Sequence, residues 1–347
     1  MGLTWTRRRA LESLGLWMAG SPLLKPQEAG PKLAGEPPGR ITPRQELVNA
    51  FEAEAMAERS LPAEAFTKIA GSGDRGAFDR IVFHPRTMVD VHQLDLTVDL
   101  FGTKMYAPIL VGPASFQQRF HPEGELAVVR GAAATQTAVV ISSRSSHPLD
   151  KIAAQAKTTL WYQVYPEADM APVLARAGQA VKAGCRVVCL TVGSRFGPRM
   201  DWAIVDQVRR AAKVPVLLKG IVSPEEARTA VERGADGIVV SEGGRLVHGL
   251  ASPIEMLPAV VDAVGGKIPI LIDGGFRRGT DIVAALALGA RSVLVARPVL
   301  WGLAGYGAEG VQTVLEMLQS ESARTMGLCG KPNLAALDRT LLRIDRR

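Results

Sequence analysis

The hydrophobic residues of this chain cluster in short, nearly continuous runs from residue 108 onward. Each run is followed by a polar loop and an amphipathic segment, of which SPEEARTAVERGA at 223–235 is an example. Short strands that are apolar on both faces are typical of a parallel sheet covered by helices. Eight such runs occur, at residues 108–112, 138–142, 159–164, 186–192, 214–219, 236–241, 268–273 and 292–296.

Eight repeats of strand and helix predict a closed (β/α)8 barrel, the TIM barrel, preceded by an N-terminal helical extension. We expect both to belong to one domain over residues 41–347. The alternative is a doubly wound open sheet. That alternative is disfavoured because no G-x-G-x-x-G pattern follows an early strand.

The N-terminus has a separate character. Residues 6–24, TRRRALESLGLWMAGSPLL, place three arginines ahead of a short apolar stretch and resemble a twin-arginine export signal. The apolar stretch is short and is interrupted by Glu12, which disfavours a membrane span. The alternative to the export signal is an amphipathic N-terminal helix. Residues 25–40 are rich in proline and glycine and are typical of a linker. We therefore predict a signal over residues 1–24 and export to the periplasm or cell envelope, with a cytoplasmic location as the alternative.

The charge and the cysteine content limit the kinds of ligand that the protein is expected to bind. The net charge of +7 is spread along the chain without an aromatic-interleaved basic run, which favours anionic small ligands and disfavours nucleic acid. Cys185 and Cys189 are spaced to share one face of a strand, but no second pair completes a zinc site. We expect buried, inert thiols and no metal site.

Catalytic groups of such barrels lie at the carboxyl ends of the strands, and here nearly every strand ends in polar residues. A single serine or threonine there is as readily a helix N-cap as a ligand contact. Taken together, the polar groups predict a large polar ligand. They are Ser115, Ser142, Gln163, Tyr165, Thr191, Lys219, Ser241, Arg245, Asp273 and Arg297.

The strongest local signal is IDGGFRRGTD at 272–281, which pairs with ARP at 296–298. The loops after strands seven and eight are the usual phosphate site of this fold, and the helix that follows offers its positive N-terminus. Two glycines allow backbone N–H groups to approach an anion, and two arginines can fork onto phosphate oxygens. These four residues are Gly274, Gly275, Arg277 and Arg297.

Asp273 and Lys219 also end strands, but neither fits a phosphate role. Asp273 is suited to accept hydrogen bonds from a ligand hydroxyl. Lys219 is either a salt-bridge partner or a fixed cation beside an electron-rich cofactor ring. The phosphate pocket nearby favours the second interpretation.

From about Phe78 to Leu342, the chain resembles the FMN-dependent α-hydroxy-acid dehydrogenase and oxidase family, the group of glycolate oxidase, lactate oxidase and mandelate dehydrogenase. The resemblance rests on long collinear stretches at 77–91, 108–133, 161–165, 217–227, 273–290 and 296–304. It implies the flavin cofactor FMN. The implied flavin contacts are Pro113, Ala114, Ser115, Ser142, Gln163, Thr191, Lys219 and Ser241. The residues implied to bind the FMN tail are Asp273, Gly274, Gly275, Arg277, Ala296 and Arg297.

The substrate side departs from the family. Its tyrosine pair is missing from FTKIAGSGD at 66–74, and Gly193 replaces the aspartate that orients the catalytic histidine. Where the family reads Ser-Asn-His-Gly-Gly-Arg, this chain has Ser-Glu-Gly-Gly-Arg at 241–245, so the histidine itself is lost. The candidate replacements for this base are Glu242 and His248. The implied carboxylate-binding residues are Tyr165, Arg199 and Arg245.

The resemblance implies oxidation of a small anionic 2-hydroxy acid by hydride transfer to FMN, with an electron acceptor that the sequence does not identify. It also implies a homo-oligomer, with a tetramer as the expected form. Two alternatives stay open. One is a different FMN reaction that needs no histidine, and the other is a flavoprotein that serves as a binding or electron-carrying module.

Overall fold

The computed structural model describes residues 41–71, 75–192, 201–243 and 251–345. The predicted N-terminal helical extension is present in this part of the chain. Its first helix begins where the Asn49 side chain accepts the backbone N–H of Phe51, at 2.9 Å. Ahead of the barrel lie helices α1 (Ala50–Ser60), α2 (Ala63–Phe66) and α3 (Gly76–Asp79), then strands β1 (Ile81–Phe83), β2 (Val98–Leu100) and β3 (Thr103–Met105).

Eight parallel strands close into a barrel, and a helix follows each strand. Each strand pairs with the next one along the chain, and the last pairs with the first. This confirms the predicted (β/α)8 barrel. The strand–helix pairs are β4 (Ile109–Val111) with α4 (Glu125–Ala134), β5 (Val139–Ser142) with α5 (Leu149–Gln155), β6 (Leu160–Val164) with α6 (Ala171–Lys182), β7 (Val188–Thr191) with α7 (Ala203–Ala212), β8 (Val216–Ile221) with α8 (Pro224–Glu232), β9 (Gly237–Val240) with α9 (Pro253–Val264), β10 (Ile270–Asp273) with α10 (Gly279–Ala287), and β11 (Ser292–Val295) with α11 (Arg297–Leu328), which is interrupted at Gly307.

The barrel interior is packed with side chains from every strand, and the β2–β3 hairpin joins the same cluster. At the hairpin turn, Phe101 packs edge-on against Trp161, with ring centroids 6.0 Å apart. Trp161 also donates to the hydroxyl of Thr103 at 3.1 Å. The hairpin therefore covers the amino-terminal end of the barrel. The strand residues of this interior cluster are Leu110, Val140, Trp161, Cys189, Leu217, Val239, Leu271 and Leu294.

The fifth barrel strand does not end at Lys219, as the sequence suggests, but continues to Ile221. Its register shifts between Lys219 and Ile221, which marks a bulge at Gly220. Gly220 has a φ of +115°, and a Cβ there would lie 2.3 Å from the Val192 carbonyl oxygen. From the sequence this glycine reads as a strand terminator, whereas in the fold it permits a close backbone contact.

The remaining elements tie the chain ends to the barrel. Strand β12 (Leu342–Ile344) pairs antiparallel with β1. Cys185 precedes β7 rather than sharing it with Cys189, but both thiols are buried, as expected. Within the described ranges, no helix has the length and apolar character needed to cross a membrane.

Candidate active site

A cavity of about 440 Å³ opens at the carboxyl ends of the barrel strands. Its volume falls in the range of ordinary small-molecule sites, roughly 300–1,000 Å³. Most of the predicted ligand contacts line it, as the fold requires. They are Pro113, Ala114, Gln163, Tyr165, Thr191, Lys219, Asp273, Gly274, Gly275, Arg277, Ala296 and Arg297.

One wall of the cavity was not anticipated as a ligand contact. Thr67, Lys68, Ile69 and Ala70 line it, and they follow helix α2. The backbone of this segment is held from α1, because the Glu54 carboxylate accepts the Gly71 N–H. The only sequence signal was the position of this segment beside the family's substrate tyrosines.

Two arginines lie at the end of the cavity formed by β10 and β11. Arg277 is 3% exposed; its guanidinium donates to the Phe276 carbonyl at 2.8 Å and lies 4.7 Å from the Trp301 ring centroid. Burial, followed by the charges of Arg297 and Arg75, lowers its pKa to about 9. Burial also lowers the pKa of Arg297, which donates to the Ala70 carbonyl at 3.4 Å.

Neither guanidinium has a carboxylate at salt-bridge distance within the described residues. Arg277 is buried and Arg297 half-buried, and two neighbouring cations without a carboxylate in direct contact form a site suited to an anion. The phosphate of FMN carries the charge and the acceptor oxygens that this pair requires. The residues present therefore fit the cofactor.

The N-terminus of α10 is not available to a phosphate, contrary to the expectation from the sequence. One carboxylate oxygen of Asp281 accepts the backbone N–H groups of Arg277 and Arg278, at 2.8 and 2.9 Å. Glu321 accepts the N–H of Gly279 at 2.8 Å. Because these side chains already cap the first turn, we expect an anion to be bound by the arginines and by the Gly274–Gly275 turn, whose φ angles are +104° and +81°.

The loop that presents Arg277 is fastened by a residue that sequence reasoning missed. Arg75 makes a bidentate pair with Asp281, at 2.9 and 3.0 Å, and also donates to the Gly275 carbonyl. Its guanidinium lies 5.2 Å from the Phe78 ring centroid. Planar, two-bond pairing of this kind fixes orientation as well as distance. Arg75 therefore positions the loop that carries Arg277.

Lys219 is 5% exposed, and its ammonium group is ion-paired with Asp273 and donates to the hydroxyl of Ser241 at 2.8 Å. The salt-bridge interpretation, less favoured from the sequence, is thus realised. The ion pair does not exclude a role for Lys219 as a cation beside a cofactor ring, because Lys219 and Asp273 both line the cavity. Ser241 stands behind the cavity wall, where it also accepts the Gly243 N–H at 2.9 Å.

A hydrogen-bonded row crosses strands β6 and β7. Tyr165 donates to the Gln163 amide oxygen at 3.0 Å, and the Gln163 amide nitrogen donates to Thr191 at 2.7 Å. The row fixes which side of the Gln163 amide accepts and which donates. Ser115 and Ser142 do not line the cavity; their hydroxyls contact each other at 3.1 Å.

The structure places only some of the predicted catalytic residues. Glu242 is half-buried after β9, and its charge partly opposes the lowering of the Arg297 pKa that burial causes. The predicted sites at Arg199, Arg245 and His248 lie outside the described residues. Across the described segments, no cluster of three His, Cys, Asp or Glu side chains could hold a metal ion.

Comparisons with known proteins agree with this geometry. The family model described as FMN-dependent dehydrogenase matches residues 55–197 and 192–344. The chain is 34% identical to an L-lactate oxidase of Nostoc sp., over 86% of this chain and 98% of the relative. It is 32% identical to a glycolate oxidase of Spinacia oleracea, over 86% and 96%. A crystal structure of mandelate oxidase superposes with a TM-score of 0.80 at 36% identity, covering 86% of this chain and 98% of that one.

Proposed function

The chain belongs to the FMN-dependent dehydrogenase family, and we propose that it oxidises a small 2-hydroxy acid to the 2-oxo acid with FMN held in the strand-end cavity. The observation that carries the proposal is the pair Arg277 and Arg297, two desolvated cations at the phosphate loops of the barrel. Catalysis at the carboxyl ends of the strands is the rule for this fold.

Different residues of the cavity would bind different parts of the cofactor. Arg277 and Arg297 would bind the phosphate, and Lys219, which is ion-paired with Asp273, would lie against the ring system. FMN, when bound, supplies the acceptor for the two electrons that leave the substrate carbon. The fixed charge of Lys219 favours the extra negative charge that arrives with them.

On the substrate side, the chain must bind a carboxylate and remove a hydroxyl proton. Tyr165, Arg199 and Arg245 are the groups we assign to the carboxylate. Glu242 and His248 are the two candidates for the base. A base must come within about 3 Å of the proton it removes, and the family's imidazole is missing.

The test is anaerobic stopped-flow reduction of the purified yellow protein by lactate, glycolate and mandelate. We expect reduction to be about 10²–10⁴-fold slower than a well-placed general base would allow. A further large loss in Glu242→Gln or in His248→Ala, but not in both, identifies the base. If no 2-hydroxy acid reduces the flavin, the proposed oxidation is wrong and the protein is a binding or electron-carrying flavoprotein.

The electron acceptor and the oligomeric state can each be tested separately from the substrate. The relatives named above are oxidases, which supports molecular oxygen as the acceptor. Hydrogen peroxide release during turnover tests this, with an artificial dye as the alternative acceptor. We further propose a homo-oligomer, expected to be a tetramer, which light scattering of the purified protein would measure.

We also propose that residues 1–24 direct export to the periplasm or cell envelope. The supporting feature is the arginine cluster ahead of a short apolar stretch. A protein that binds its cofactor before export needs a route for folded cargo. Changing Arg7→Lys together with Arg8→Lys should retain the protein in the cytoplasm. Unchanged fractionation of this double variant would mean that the segment is not such a signal.

A further inference from the structure

A second positive site borders the cavity at Arg144, outside the residues assigned so far. Arg144 follows β5, and its backbone is fixed on both sides. Its N–H donates to the Ser142 hydroxyl at 3.1 Å, and its carbonyl accepts the Phe116 N–H at 2.9 Å. Phe116 has a φ of +54°, which is uncommon for a residue with a large side chain. The loop therefore holds Arg144 at a defined place.

The Arg144 guanidinium lies 4.4 Å from the ring centroid of Tyr165, a residue that lines the cavity. The Tyr165 hydroxyl is bonded to Gln163 on the strand side of the site. Arg144 itself is exposed and is not part of the cavity wall. The guanidinium is therefore placed at the rim, against the outer side of a substrate-site residue.

Arg144 has no structural ion pair. Within the described residues, no carboxylate lies at salt-bridge distance from its guanidinium, whereas Arg176 pairs with Glu167 and Arg278 pairs with Glu321. An exposed cation–π contact contributes only about 0.5–1 kcal/mol. That is small beside the roughly 2 kcal/mol of rotamer entropy carried by an arginine side chain. The stacking alone does not account for an arginine held beside the cavity.

Lys68 adds a second available cation. It lines the cavity from the segment after α2. Its partner, Glu64, has a side chain that is 91% exposed and lies one helical turn away, at 3.2 Å. Such surface pairs are worth little, on the order of 0.3–0.5 kcal/mol. Lys68 can therefore turn toward a ligand at small cost.

The other cations of the site already have partners or assigned roles. Lys219 is paired with Asp273, and the buried Arg277 and half-buried Arg297 are assigned to the phosphate. We propose that Arg144, assisted by Lys68, binds a second carboxylate at the far end of the substrate. The preferred substrates are then 2-hydroxy dicarboxylic acids. This inference rests on the proposed function, because it names the substrate class of the same site.

The test uses the FMN-loaded protein and two 2-oxo acids of equal chain length, 2-oxoglutarate and 2-oxopentanoate. The two differ only in that a terminal carboxylate replaces a methyl group. Dissociation constants are read from the flavin difference spectrum, so turnover is not needed. We expect 2-oxoglutarate to bind about tenfold tighter or more, the scale of a charge-assisted contact.

Arg144→Met should remove most of this preference and leave 2-oxopentanoate within about twofold. Arg144→Lys, which keeps the charge, should retain part of the preference. Arg233→Met is the matched control, because this exposed arginine directly follows α8 at the opposite end of the barrel and should change neither constant. Lys68→Met should lower the preference further in the Arg144→Met background.

Three results would overturn the inference. They are equal binding of the two acids by the unaltered protein, an equal loss of both in Arg144→Met, or no binding of either. An equal loss would mean that Arg144 serves the 1-carboxylate or merely supports Tyr165. Reduction of the flavin by 2-hydroxyglutarate and 2-hydroxypentanoate is measured in parallel. If neither hydroxy acid reduces the flavin but 2-oxoglutarate still binds more tightly, the proposed oxidation is wrong. The second carboxylate site is then still supported.

Discussion

Replacing Arg277 with methionine should stabilise the apo protein and weaken the FMN complex. The reason is that the guanidinium is 3% exposed and shares its surroundings with two other arginines, Arg297 and Arg75. A fall in its pKa from 12.5 to about 9 corresponds to about 5 kcal/mol of cost for the charged form. This cost is present at neutral pH, because the folded pKa lies below that of the unfolded chain and both states are protonated there.

Two contacts offset most of that cost. The face of Trp301 contributes about 2 kcal/mol to a desolvated cation. The hydrogen bond to the Phe276 carbonyl contributes about 1.5–3 kcal/mol. The balance is on the order of 1 kcal/mol, which Arg277→Met should return to the apo protein. Loss of the charge-assisted phosphate contact should cost FMN binding about 2 kcal/mol, or roughly 30-fold in Kd.

The assays are urea unfolding of the apo protein and FMN titration by flavin fluorescence. Arg278→Met is the matched control, because it removes the adjacent charge from a side chain that is 45% exposed and paired with Glu321. Its effect on FMN affinity should stay within about threefold, as for other surface pairs. Unchanged FMN affinity in Arg277→Met, together with a less stable apo protein, would refute the reasoning, since Arg277 would then be a structural cation.

Three further predictions concern the barrel and its helices. Gly220→Ala would put a Cβ 2.3 Å from the Val192 carbonyl oxygen at a φ of +115°, and it should destabilise the protein by about 3 kcal/mol or prevent folding. Gly178→Ala, in the middle of α6 with open space around it, should be neutral or stabilising by up to about 1 kcal/mol, and urea midpoints decide both. Burial raises the pKa of Cys185 and Cys189 to about 12, so the folded protein should resist thiol labelling at pH 8. Rapid labelling without denaturant would contradict that reading.

The barrel could be predicted from the sequence because its strands are buried on both faces. Each run of apolar residues is then continuous, and the polar residue that ends it falls at the barrel mouth. Leu271 and Val293, one in each of two successive runs, are fully buried. Gln163, Thr191 and Arg297 follow this pattern, since each lies at or just after the end of an apolar run and all three line one cavity.

What the sequence could not supply is the pairing of groups that are distant along the chain. Arg75 and Asp281 are 206 residues apart, and neither lies at the carboxyl end of a barrel strand. Lys219 and Asp273 were both singled out, but their ion pair depends on how β8, β9 and β10 stagger. Lys219 is in register with Val239, and Val239 with Leu271, so the ion pair joins Lys219 to a residue two positions further along β10, which the sequence does not reveal.

Residues 241–245 read Ser-Glu-Gly-Gly-Arg where the family that the sequence resembles has its histidine, and we expect this difference to affect the chemistry rather than the fold. The barrel, the arginines of the proposed phosphate site and Lys219 need no imidazole, so we expect the cofactor site to be complete without it. A carboxylate is a weaker base than imidazole by about 2 pKa units, which makes proton transfer to it roughly 3 kcal/mol less favourable. If Glu242 takes the proton, that difference alone slows the step by up to about 10²-fold. A slow reaction that depends on Glu242 would therefore mark a changed base in an intact flavin site, whereas complete inactivity would mean that only the binding half of the family's chemistry has been kept.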